Sequence, residues 1–114
     1  MSKTINFPEF MENEIINEDT RSPKVAFRIN PCYLNYYLPK DIVYIRVGEK
    51  ILRHGLILKN VYKVTFGELD YNILELAKSQ MQTKEGVKNI LNKIYNIEVN
   101  ELTPLFIVTY KNIN

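Results

Sequence analysis

The side chains with the clearest chemical potential in this sequence are basic, and they lie close together along the chain. Residues 21–63 contain nine Lys and Arg residues and two acidic residues, a balance of +7. Residues 1–19 contain one Lys and five acidic residues, a balance of −4. Basic residues interleaved with Tyr are typical of surfaces that contact a phosphate backbone, so residues 21–63 predict a nucleic-acid-binding face. The alternative is that these basic side chains are simply exposed to solvent on β-strands, where some of them prevent sheet edges from pairing with other chains.

The other reactive side chains are the single cysteine, Cys32, and the single histidine, His54. Together they would supply a nucleophile and a base, but nothing in their spacing brings them together. One Cys and one His do not make a zinc site, and no Asp/Glu motif indicates magnesium. The chain contains four glycines and no Gly-rich phosphate loop. The sequence therefore predicts no catalytic residue, no metal site and no cofactor.

Length and composition predict a single globular domain over residues 1–114. Hydrophobic residues make up 46% and charged residues 25% of the chain, which is ordinary for such a domain. No apolar run approaches the roughly 18–20 residues that span a bilayer, and the N-terminus lacks the pattern of a signal peptide. One cysteine fits a reducing compartment, so we expect the cytoplasm, or the host-cell cytoplasm if the protein is viral.

Hydrophobic periodicity predicts a helix, several strands, two helices and a last strand. In 6–18, apolar residues fall on one helix face behind Pro8, and 67–81 and 83–95 also have helical character. Strands are predicted at 24–29, 42–47, 51–58, 61–66 and 103–111. This order predicts an α+β fold with a small, mostly antiparallel sheet closed into a β-barrel with flanking helices. The expected core includes Val43, Ile45, Leu56 and Ile107.

The stretch "VGEKILRHGLIL" (47–58) predicts a turn between two strands of a hairpin. With a two-residue loop of Gly48 and Glu49, Ile45 would lie opposite Leu52, and Tyr44 would lie opposite Arg53. A three-residue loop would exchange these partners. In both cases the charges belong to a turn and do not form a catalytic cluster.

Residues 41–111 resemble the ASCH domain of the PUA-like superfamily. The likeness lies in the strand "DIVYIRV", a hairpin returning into "GLILKNV", the helix start "TFGEL", an amphipathic helix ending in "IY" and the closing "LFIVTY". The resemblance implies a PUA-like/ASCH-like β-barrel with a cleft beside a flanking helix, where relatives hold RNA or a modified nucleoside. In this chain, basic residues would contact phosphates and a tyrosine would stack on an unpaired base. The nucleic-acid-binding residues would be Lys24, Arg28, Tyr44, Arg46, Lys50 and Arg53.

The family's sharp motif, Gly-x-Lys-x-x-Thr/Glu-x-Arg, is only partly retained. The matching "SPKVAFR" keeps Arg28, but Ala26 stands at the Thr/Glu position and Pro23 at the lysine position, with Lys24 one residue later. Relatives that hydrolyse acetylated cytidine use that lysine, the threonine and a glutamate whose position falls on Gln80. A glutamine is no general base and an alanine no nucleophile, so the resemblance implies loss of this activity. A divergent amidohydrolase that uses Lys24 is an alternative.

Another alternative is a protein-interaction role, with a homodimer formed through a sheet edge or through the acidic first helix, which lies within residues 1–19, here called the acidic first segment. The salt dependence of binding distinguishes nucleic-acid binding from protein–protein association. Nucleic-acid affinity falls steeply with ionic strength, whereas apolar association barely responds. The tyrosines Tyr33, Tyr36 and Tyr37 form the one aromatic cluster. They would close the barrel mouth over the core or stack on bases, and the first role is favoured.

Overall fold

The computed structural model describes residues 3–113 and has the predicted α+β fold, built around a six-stranded sheet in which the first strand was not expected. The helices are α1 (Glu12–Ile16), α2 (Tyr71–Leu74) and α3 (Lys84–Tyr95), and 3₁₀ turns lie at Glu9–Met11, Pro31–Asn35, Phe66–Glu68 and Ser79–Met81. No helix among these residues is long and apolar enough to cross a membrane. The strands are β1 (Lys3–Phe7), β2 (Lys24–Arg28), β3 (Ile42–Val47), β4 (Lys50–Ile57), β5 (Tyr62–Thr65) and β6 (Pro104–Ile113).

The strands run in the order β1-β3-β4-β6-β2, and β5 pairs with β6. β1 is parallel to β3, and every other pair is antiparallel. The long β6 pairs with β2 along one side and with β4 and β5 along the other, so that Ile107 has Phe27 and Tyr62 as its two neighbours. The ends of this path, β1 and β2, do not pair within the described residues. The sheet is therefore open between these two strands.

The centre of the core is β6, whose residues 105–110 are all buried. Val43, Ile45 and Ile107 are at most 1% exposed, which confirms three of the four predicted core positions. Leu56 is the exception and is half-buried. It pairs with Ile42, which lies on the outer face of the sheet together with Tyr44 and Arg46; these three residues are the outward set of β3. The neighbouring Ile57 is buried in the core instead.

Two of the predicted helical segments are wrong in extent. The first begins at Glu9, because Ile5 and Phe7 are buried alternately with exposed neighbours and form β1 instead. The segment 67–81 is interrupted: Asp70 caps a new helix by accepting from the Ile73 amide, and α2 then ends at Leu74. Beyond α2, the Leu76 carbonyl accepts a hydrogen bond from the Val25 amide of β2, so a tertiary contact overrides the helical pattern.

The hairpin has the two-residue loop, and the register that this loop implies holds only for the two pairs next to it, Val47–Lys50 and Arg46–Ile51. Val47 pairs with Lys50 across Gly48, whose φ of 57° suits the turn. A bulge follows, and Tyr44 lies opposite His54 instead of Arg53.

This shift turns Arg53 toward α1. Its Nη1 donates to the carbonyls of Ile15 (3.0 Å) and Glu18 (2.9 Å), which are acceptors at the end of the helix that need a donor. His54 instead lies on the outer face of the sheet, with its ring 5.1 Å from that of Tyr44.

Candidate binding cleft

A cleft of about 280 Å³ lies at the open side of the sheet, where β1 and β2 fail to pair. Its walls are apolar and come from Phe7 of β1, Ala26 of β2, and Ile94 and Tyr95 at the end of α3. Two charged side chains, Arg28 and Lys78, also line it. The gap between two sheet edges is thus a recess with apolar walls and two buried cations.

Arg28 bridges the gap between the two edge strands. Its side chain donates from Nη2 to the Asn6 carbonyl of β1 and from Nη1 to the Phe27 carbonyl of β2, both at 2.8 Å. The guanidinium carbon lies 5.5 Å from the centre of the Phe7 ring, and the residue is 9% exposed. Within residues 3–113, Arg28 forms no ion pair.

Lys78 is even more deeply buried, at 2% exposure. Its Nζ donates to the Tyr110 hydroxyl at 2.7 Å and lies 2.9 Å from Glu18 Oε2. The ammonium also lies 4.6 Å from the Phe7 ring centre, on which both cleft cations therefore converge. Burial lowers the pKa of Lys78, and the nearby Glu18 carboxylate opposes this shift. Burial also raises the pKa of Tyr110 well above its ordinary value.

The carboxylate that pairs with Lys78 belongs to Glu18, in the segment "NEDT" (residues 17–20) that follows α1. Its side chain is 9% exposed, although the neighbouring Asn17 and Asp19 are exposed. Its Oε1 accepts from Asn112 Nδ2 at 3.2 Å, and its backbone carbonyl accepts from Arg53. A buried polar network thus joins the end of α1, the loop before α3 and β6.

Of the six residues predicted to bind nucleic acid, Arg28 lines the cleft and the others lie elsewhere. Lys24 and Lys50 pair with the acidic first segment, at 3.7 Å from Asp19 and 3.2 Å from Glu12. That segment therefore takes up part of the +7 charge of residues 21–63. The remaining three are Arg53, bonded to α1, and Tyr44 and Arg46, which belong to the outward set of β3.

The predicted aromatic cluster exists and has a clear structural role. The rings of Tyr33 and Tyr37 stack at 5.7 Å, and those of Tyr36 and Tyr37 meet edge-on at 4.8 Å. Tyr37 donates to the Thr4 carbonyl at 2.6 Å, and burial raises its pKa to about 12. Tyr33 also lines a neighbouring groove of about 460 Å³ together with Tyr95. Because Tyr95 borders both recesses, the groove adjoins the cleft.

The residues of this chain that match catalytic positions of the ASCH family do not lie together in one site. Ala26 lines the cleft, Gln80 is exposed, and Lys24 lies in a different recess beside Glu75. Cys32 is exposed on the turn after β2, whereas His54 lies on the outer face of β4. The described part of the chain contains no group of three or more His, Cys, Asp or Glu side chains arranged for a metal ion.

Comparison with known proteins adds no relative. No protein-family model, curated protein or solved structure matches the chain. The cleft must therefore be interpreted from its own residues.

Sequence reasoning missed three of these residues: Lys78, Phe7 and Tyr95. Lys78 lies inside the segment 67–81 that was predicted to be helical, and nothing in the local pattern marks it as buried. Phe7 was expected in a helix, and Tyr95 in the helical stripe of α3. The alternation of Ile5 and Phe7 was the one available signal, since it is typical of a strand.

Proposed function

We propose that this chain is a non-catalytic module that binds single-stranded nucleic acid, RNA or DNA, by taking an unpaired base into the cleft. The observation that carries this proposal is the Phe7 ring flanked by two buried cations, Arg28 and Lys78, inside an apolar recess. A nucleobase is flat and apolar on its faces and carries hydrogen-bond acceptors on its edges. Unpaired bases are held in proteins by such aromatic and apolar surfaces together with Arg and Lys donors.

We further propose that the sheet is a PUA-like/ASCH-like β-barrel that is left open between β1 and β2. Arg28 links the two unpaired edges through its bond to the Asn6 carbonyl, and α3 covers the opening between them. A recess between a curved sheet and a flanking helix is where the family resemblance implies its binding cleft. The cytoplasm, or the host-cell cytoplasm for a viral protein, fits the exposed free thiol of Cys32.

Two features of the cleft support binding without catalysis. The methyl group of Ala26 provides neither a nucleophile nor a hydrogen-bond donor at the position where hydrolytic relatives carry threonine. The carboxylate beside Lys78 is already engaged, since Glu18 pairs with Lys78 and accepts from Asn112. To act as a general base, this carboxylate would have to be free to reach the ligand.

Few phosphate contacts are expected, because the acidic first segment pairs with Lys24 and Lys50. For single strands, log Kd changes by ~0.7 per phosphate contact for each unit of log salt. With about two contacts, the plot of log affinity against log salt should have a slope of about −1 to −2.

The test is fluorescence anisotropy with labelled eight-nucleotide RNA and DNA strands of mixed sequence. Ile94→Trp places a larger ring at the mouth of the cleft, where Ile94 is 41% exposed, and should weaken binding at least about tenfold. Leu102→Trp is the matched control, since Leu102 is 81% exposed and lies outside the cleft. The proposal is rejected if no strand binds at low salt, or if both variants bind like the unmodified protein.

One observation favours a homodimer as the second candidate. The outer face of the β3–β4 hairpin exposes Ile42 and Ile51, each at 55%, beside the half-buried Tyr44 and His54. Exposed apolar patches of this kind often mark protein–protein contacts. Light scattering after size exclusion would give twice the monomer mass, and Ile42→Lys with Ile51→Lys would restore the monomer. A monomer at every concentration would reject this candidate.

A further inference from the structure

Building on the function proposed above, we infer that the cleft recognises a strand end: a terminal phosphate monoester bound by Arg28. The inference starts from the balance of charge in the cleft. The positive charge of Lys78 is matched by Glu18 at 2.9 Å. Arg28 has no such partner in the described chain, although it is 91% buried. The cleft therefore carries one uncompensated positive charge.

A buried cation without a counter-ion is costly, because water no longer solvates it fully. Two carbonyl bonds and the Phe7 ring stabilise Arg28 in part. They add dipoles and a ring face but no negative charge. A ligand that carries an anionic group would supply the missing charge, so charge complementarity favours an oxyanion next to Arg28.

The geometry of the guanidinium indicates which oxyanion. Arginine has five N–H donors, and Arg28 uses two of them on the Phe27 and Asn6 carbonyls. Three N–H groups remain for a ligand. A phosphate accepts such donors in pairs from a guanidinium, and a terminal phosphate offers three oxygens and close to two negative charges.

The depth of Arg28 distinguishes a terminal phosphate from an internal one. If the phosphate were internal, the nucleic-acid strand would have to continue in both directions from the buried guanidinium. A terminal phosphate needs room for one nucleotide only. The cleft, at about 280 Å³, lies at the small end of the range of ligand pockets and suits one nucleotide better than a run of them. The neighbouring groove shares Tyr95 with the cleft and would hold the next nucleotide.

The experiment compares one eight-nucleotide strand with a 5′-phosphate, a 3′-phosphate or hydroxyls at both ends, with the fluorophore on an internal base. One of the phosphorylated strands should bind at least about tenfold more tightly than the hydroxyl strand. The preference should fall as the pH drops from 7.5 to 5, because the phosphate loses its second charge near pH 6. Equal binding of all three strands would overturn the inference and leave the proposed function standing. No binding by any strand would overturn both.

Variants assign the preference to Arg28. Arg28→Met should abolish it, whereas Arg21→Met should keep it, because Arg21 is an exposed arginine that does not line the cleft. If Arg28→Met does not fold, Arg28→Lys keeps the charge without the planar fork and should lose most of the preference. An unchanged preference in a folded Arg28 variant would contradict the assignment.

Competitors identify the source of the phosphate. Nucleoside monophosphates should displace the strand at lower concentration than inorganic phosphate, because the base also contacts the cleft walls. Inorganic phosphate competing equally well would mean an anion site with no nucleotide recognition, and would overturn the inference.

Discussion

Lys78 Nζ and Glu18 Oε2 lie 2.9 Å apart inside the protein, and Tyr110 accepts a further hydrogen bond from the same ammonium. This ion pair joins the loop before α3 to the segment after α1, and Tyr110 links both to the central strand β6. Lys78 also lines the cleft, together with residues of β1, β2 and α3. The position of the Lys78 ammonium in the cleft therefore depends on partners from two other elements.

Removing one partner of this pair should be strongly destabilising. Glu18→Ala leaves the Lys78 charge buried and unpaired, and we expect the free energy of unfolding to fall by about 3–5 kcal/mol in urea titrations. Replacing both partners, as Glu18→Leu with Lys78→Met, should recover most of that loss. Glu12→Ala breaks the exposed pair with Lys50 and should cost at most about 1 kcal/mol. Similar losses for Glu18→Ala and Glu12→Ala would contradict the buried role of Glu18.

The core assignment gives a second prediction. Ile107 is fully buried at the crossing of β2, β5 and β6, so Ile107→Asp places an unpaired charge in the core and should abolish the cooperative unfolding transition. Leu102→Asp, at an exposed position, should change stability by less than about 0.5 kcal/mol. Thermal unfolding followed by circular dichroism measures both. A folded Ile107→Asp protein with an ordinary transition would refute the assignment.

The fold was predictable where local pattern and tertiary structure agree. Thr83 caps α3, the apolar stripe with Val87 and Ile90 is buried, and β6 is apolar because its residues 105–110 are buried on both faces of the sheet. The short loop at Gly48 was also predictable, since its φ suits glycine. The register beyond it was not, because the bulge that turns Arg53 toward α1 follows from acceptors at the end of a distant helix.

The candidate site was predictable only at Arg28. Charge counts along the chain do not reveal which charges fold against each other, and the acidic first segment pairs with Lys24 and Lys50. Lys78 could not be found by local pattern, because its burial depends on Glu18 and Tyr110, which are remote in sequence. Partners of this kind are fixed by topology, and no local propensity encodes them.

Alkaline pH should destabilise the protein through Tyr37. Burial raises its pKa to about 12 in the folded state, above the ordinary value of about 10. The folded state thus favours the neutral phenol, and this stabilisation is present below pH 10 and lost as the pH rises from about 10 to 12.

Tyr37→Phe removes this ionisation and should make the free energy of unfolding fall less steeply between pH 9 and 11.5. At neutral pH the variant should lose about 1 kcal/mol, because its bond to the Thr4 carbonyl is gone. Lys78 and Tyr110 titrate in both proteins, so the difference between the two curves isolates Tyr37. Parallel curves would mean that the Tyr37 hydroxyl is exposed to water.

Tyr95 should contribute to binding by stacking. It borders both the cleft and the adjoining groove and is 39% exposed, so Tyr95→Ala should reduce affinity for a single strand by about 1–3 kcal/mol. Tyr71→Ala is the matched control, because Tyr71 is 73% exposed at the start of α2, away from the cleft. Equal affinities for the two variants would exclude Tyr95 as a stacking platform.

The most direct test of binding in the cleft is a two-dimensional ¹H–¹⁵N NMR titration of the labelled protein with an eight-nucleotide single strand. Base insertion predicts that the largest amide shifts occur at Phe7, Ala26 and Tyr95, on the three elements that enclose the cleft. Amides of the outer face, such as those of Tyr44 and His54, should stay in place. Shifts concentrated on that outer face, or no shifts at millimolar strand, would contradict a nucleic-acid-binding cleft.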